Sequence, residues 1–71
     1  MSHFVEFVEA GNEGKRVLVQ PAGVQAVVEG TRVSEAGTEW PVCALWFAEG
    51  VISVRGTLVE VRRLLEAGRR V

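Results

Sequence analysis

Five arginines near the end of the chain form its main concentration of positive charge. Arg62, Arg63, Arg69 and Arg70 fall in or just beyond a predicted helix, and Arg55 precedes it. Guanidinium groups gathered on one surface can contact the phosphates of nucleic acid or another anion. Two glutamates of the same helix partly neutralise the group, and no aromatic residues alternate with it. We therefore favour a solvated helix face, with weak nucleic-acid binding as the alternative.

Nucleophilic or metal chemistry would have to use Cys43 or His3, since the chain has one cysteine and one histidine. Cys43 lies in the most hydrophobic stretch with no cation implied beside it, which favours a buried apolar side chain over a reactive thiolate. His3 lies near the N-terminus without a second ligand-type residue, so we expect no metal site. The glutamates are scattered over strands and turns, which predicts no acid–base pair. We expect no catalytic site and no cofactor.

Aromatic and large apolar residues are the candidate interface residues. Trp40 follows an acidic loop. A tryptophan there can anchor a protein partner, stack on nucleic-acid bases or close the rim of the core. We favour the third of these roles. Trp46 lies inside the apolar stretch and is predicted at the core or at a dimer interface. The predicted interface set is Trp40, Leu45, Trp46 and Phe47.

The helix that would carry the arginines is predicted at Leu58–Ala67. Thr57 is a suitable N-cap, and Glu60 lies three positions later, where the carboxylate of a capping box belongs. Gly68 is a typical helix stop. Four residues fall on one arc and predict the buried face of the helix: Leu58, Val61, Leu64 and Leu65.

Upstream of the helix the chain has the alternation and turn residues of five short strands. The predicted strands are 3–9, 15–20, 24–29 with 24–33 as the longer alternative, 41–48 and 51–55. In the second strand Val17 and Val19 point to one side. Pro21 interrupts the chain after that strand because proline lacks an amide donor. Gly30 suggests a bulge or a kink in the third strand.

These elements predict an α+β fold of one domain, residues 1–71: a bent antiparallel sheet of about five strands, joined by hairpins, with one C-terminal helix. The stretch Val42–Ala48 is apolar on both faces, which is typical of a strand that is covered on both sides. One helix covers one face, and an uncovered row of aromatic and aliphatic residues is unusual for a soluble monomer. We therefore expect a homodimer, because two-fold pairing is the commonest closed symmetry.

Length and charge exclude several classes of protein. A chain of 71 residues buries only about 60% of its unfolded surface, and its one cysteine cannot form an internal disulfide. Association is then the remaining route to stability. A net charge of −1 gives no general attraction to nucleic acid or membranes. No signal peptide and no apolar run of about 20 residues is recognisable, so we expect a cytoplasmic protein without membrane contact.

Two segments carry a resemblance to known small domains. Residues 17–24 read Val-Leu-Val-Gln-Pro-Ala-Gly-Val, and residues 52–61 read Ile-Ser-Val-Arg-Gly-Thr-Leu-Val-Glu-Val. This layout resembles the small flagellar FlbD-type proteins and is similar to the core of LytTR-type DNA-binding domains. The resemblance implies a strand-rich fold that ends in a helix. LytTR-type domains reach DNA with basic loops, whereas loop 34–39 is acidic here, so the resemblance does not extend to DNA contact.

The sequence thus favours a small non-enzymatic interaction or accessory protein that acts as a dimer. Weak nucleic-acid binding through the C-terminal helix is the alternative, and an enzyme subunit completed at an interface ranks third.

Overall fold

The computed structural model describes residues 3–11 and 13–68, and it has the predicted α+β architecture. The elements in chain order are β1 (Val5–Val8), β2 (Arg16–Val19), β3 (Ala26–Val33), β4 (Glu39–Phe47), β5 (Gly50–Arg55) and the helix α1 (Leu58–Gly68). One turn of 3-10 helix, Pro21–Gly23, separates β2 from β3 as the proline predicts. The outline is elongated, with extents of 42 × 22 × 18 Å.

The five strands form two sheets instead of the single sheet expected. Strands β1 and β2 pair as an antiparallel hairpin, and β3, β4 and β5 form an antiparallel meander in that order. The two sheets meet at one bridge between Glu9 and Val54, next to which the Ala10 amide donates to the Ser53 carbonyl at 3.0 Å. The backbone bends at Ala10 and Gly11 directly after the bridge, so pairing between β1 and β5 goes no further.

Strand β3 continues through Gly30 without the predicted bulge. The pairing of β3 with β4 runs one for one from Ala26 opposite Trp46 to Val33 opposite Glu39, with Gly30 opposite Val42. An inserted residue would have interrupted this register.

Strand β4 begins two residues earlier than expected, at Glu39, and so includes Pro41. The Pro41 carbonyl accepts a hydrogen bond from the Gly56 amide at 3.0 Å. In a strand the N–H and C=O of one residue point to the same side, so the missing donor of Pro41 faces the end of β5 and not β3. The pairing of β5 with β4 ends at Arg55 opposite Val42. The missing amide hydrogen of Pro41 therefore removes no hydrogen bond from the pairing of these two strands.

The core lies between the three-stranded sheet, the N-terminal hairpin and the helix. It is formed by Phe7, Val19, Cys43, Leu45, Val54, Val61 and Leu65. Cys43 and Leu45 are fully buried, so this face of β4 is the one that α1 covers. Val17 and Val19 point toward the core and Leu18 away from it, which confirms the predicted faces of β2.

The start of α1 confirms the predicted capping box. The Glu60 amide donates to Thr57 Oγ1 at 3.2 Å, and the Thr57 amide donates to Glu60 Oε1 at 3.4 Å. The predicted buried face is narrower than expected, because Leu58 and Leu64 are 37% and 46% exposed. The buried residues of the helix are Val61 and Leu65, one turn apart, while Leu58 and Leu64 on either side of them are partly exposed.

Candidate protein interface

The face of the three-stranded sheet that points away from α1 is made largely of small and apolar side chains. Directly opposite residues of antiparallel strands share a face, so the register defines this surface. We call its apolar part the open face: Ala26, Val28, Gly30, Val42, Ala44, Trp46, Val51 and Ser53. Arg32, Trp40 and Arg55 lie on the same side of the sheet, at one end of this part. Trp46 lies on the central strand of this face, between Ala26 on β3 and Val51 on β5, near the end where β4 finishes.

The large side chains of the open face are about half exposed. The values are 46% for Trp46, 48% for Val51 and 53% for Val28. Neighbouring apolar side chains with this exposure on three adjacent strands form a continuous patch, which in soluble proteins commonly marks an interaction surface. Val28 and Val51 were not singled out from the sequence, because their place beside Trp46 depends on the strand register.

Trp40 and Arg55 lie at one end of the open face. The Arg55 guanidinium carbon is 5.7 Å from the centroid of the Trp40 ring, within the range of a cation–π contact. The Trp40 side chain is partly buried, and its indole Nε1 is buried without a hydrogen-bond partner. Trp40 thus lies at the end of the open face beneath an arginine. The rim role favoured from the sequence stays a prediction.

Two members of the predicted interface set lie on the other face of β4. Leu45 is fully buried in the core beneath α1, so its side chain is not available to a partner and its assignment to an interface is corrected. Phe47 is partly buried and packs against the same core. The sequence could not distinguish these positions from Trp46, because both faces of this strand are apolar.

Strand β3 has a free outer edge. It pairs with β4 on one side only, and seven of its eight residues are exposed. Natural edge strands are usually short, bulged or protected by lysine or proline. Strand β2 follows that rule, because it has only four residues and lies between Lys15 on one side and Pro21 on the other. Strand β3 is longer, with eight residues and no bulge or proline, and the charged side chains along it are Glu29 and Arg32, both exposed.

A groove follows the free edge on the helix side of the sheet. It has a volume of about 310 Å³ and lies between the start of β3, including Val27, and the Leu58 and Leu65 side chains of α1. Arg62 and Glu66 line the helix side of this groove and form an ion pair, with Nε and Oε1 separated by 2.9 Å. The groove therefore combines an apolar floor with a neutralised pair of charges.

The structure separates the arginines that the sequence groups together. Arg55 lies on the open-face side with Trp40, whereas Arg62 and Arg63 lie on α1 across the sheet. Arg62 is paired with Glu66 as its spacing predicts. Glu60, three residues before Arg63, is held by Thr57 in the capping box. The predicted contacts of Arg69 and Arg70 lie outside the described residues.

Cys43 is a buried thiol, as the sequence predicts. Its Sγ lies 3.6 Å from the Gly56 carbonyl oxygen, to which it donates. Burial raises the pKa of the Cys43 thiol above its ordinary value of 9.0, and the negative charges of Glu29 and Glu60 raise it further. This environment holds the sulfur as a neutral thiol.

Within residues 3–11 and 13–68, no three His, Cys, Asp or Glu side chains are grouped as a metal site would require. His3 is exposed. The one helix of the described chain has 11 residues, too few to cross a bilayer.

Comparison with models of known protein families, with curated protein sequences and with solved structures gives no significant match. The resemblance to FlbD-type and LytTR-type domains stays a prediction.

Proposed function

We propose that this chain is a small, non-enzymatic interaction protein of the cytoplasm that works as a homodimer. The observation that carries the proposal is the uncovered apolar surface of the three-stranded sheet, which consists of the open face and the adjoining free edge of β3. Trp46, Val28 and Val51 are about half exposed on this surface. Burial of one such side chain contributes about 1.5–3 kcal/mol, so a second copy that covers even part of this surface is stabilised.

The state of the cysteine favours an interaction role over a thiol-dependent enzyme. A nucleophilic cysteine needs an accessible thiolate and a neighbouring cation. Cys43 has neither, because it is fully buried and the nearby charges of Glu29 and Glu60 are negative.

The test of the proposed dimer is its molar mass in solution. Multi-angle light scattering of the full chain should give about 15 kDa, twice the mass of 7.7 kDa, with a monomer fraction that grows on dilution. A mass of 7.7 kDa at every concentration up to the millimolar range would overturn the proposal.

Weak nucleic-acid binding through α1 is the second candidate. The observation in its favour is that Arg63 is exposed and has no carboxylate partner among the described residues. Fluorescence anisotropy of a labelled oligonucleotide at low and high salt tests it. Affinity that falls steeply with salt, and that Arg63→Gln reduces, would support it. The absence of salt-dependent binding at micromolar protein would exclude it.

A further inference from the structure

We draw no further inference here: the strongest candidate, the open face with Arg32 and Arg55 at one end, belongs to the surface already proposed as the dimer interface, and nothing in the described residues shows how a second copy would lie on it.

Discussion

Thr57 and Glu60 hold each other in a reciprocal arrangement at the start of α1. The Thr57 hydroxyl accepts from the Glu60 amide at 3.2 Å and donates to Glu60 Oε1 at 3.0 Å. Both residues are exposed, so this cap is maintained by hydrogen bonds that compete with water. The cap matters because α1 supplies two of the buried core residues.

Removal of this cap should destabilise the chain moderately. Thr57→Ala leaves amides of the first helical turn without a partner and should lower the free energy of unfolding by about 1 kcal/mol. Urea denaturation at one fixed protein concentration measures the change, since a dimer is more stable at higher concentration. Thr57→Ser is the control and should lose much less. Equal losses in the two variants would contradict the role of the hydroxyl.

Because Cys43 is a buried thiol, we expect the free energy of unfolding to decrease in alkaline solution. The pKa of Cys43 is raised in the folded chain, so the folded state holds the proton where the unfolded state releases it. Ionisation of Cys43 therefore leaves the free energy of unfolding unchanged below pH 9.0, the ordinary thiol pKa. Above that pH the free energy of unfolding decreases until the pH reaches the raised pKa of the folded chain. Urea titrations of the wild type and of Cys43→Ala at pH 7 and pH 10 test this. The alkaline loss should be smaller in Cys43→Ala; equal losses would assign it to other groups.

Replacement of Gly56 by alanine, which adds one methyl group, should destabilise the fold strongly. Its φ of +135° is strained for other residues, and an added Cβ would lie 3.4 Å from Val61 Cγ2 in the core. Gly56→Ala should therefore lower the free energy of unfolding by about 1–3 kcal/mol. Gly30→Ala is the matched control, because its backbone is compatible with alanine, and it should be neutral or slightly stabilising. Thermal unfolding of both variants at equal concentration distinguishes them.

The two tryptophans should respond differently to a soluble quencher. Trp46 is 46% exposed on the open face, whereas the indole nitrogen of Trp40 is buried. Acrylamide should quench the fluorescence of Trp40→Phe, which reports Trp46, more strongly than that of Trp46→Phe. The proposed dimer covers the open face, so the quenching of Trp46 should decrease as the protein concentration is raised. Quenching of Trp46 that is the same at all concentrations would contradict a dimer that covers this face.

Local signals in the sequence were sufficient for the cap, the hairpins and the class of the fold. Thr57 and Glu60 identify the helix start because the capping box depends on two residues three positions apart. The faces of β2 follow from strict alternation at Val17, Leu18 and Val19. Cys43 was identified as buried because the residues on both sides of it are apolar.

The features that could not be predicted from the sequence are those that depend on where the elements lie relative to one another. Leu45 and Trp46 are adjacent in an apolar strand, and only the position of α1 determines that the leucine is covered and the tryptophan is not. The buried face of the helix was predicted too wide, because Leu58 and Leu64 fall on the apolar arc but only Val61 and Leu65 are buried. The division into two sheets depends on a bend at Ala10 that has no clear sequence signal.

The single bridge between the two sheets has a consequence for how the molecule opens. The N-terminal hairpin is joined to β5 by the Glu9–Val54 bridge and is otherwise held by side chains such as Phe7 and Val19. It can swing away as a unit by breaking few backbone hydrogen bonds, while the meander keeps its full ladder. Amide protons of β1 should therefore exchange with deuterium sooner than those of Cys43 and Leu45 at the centre of the meander.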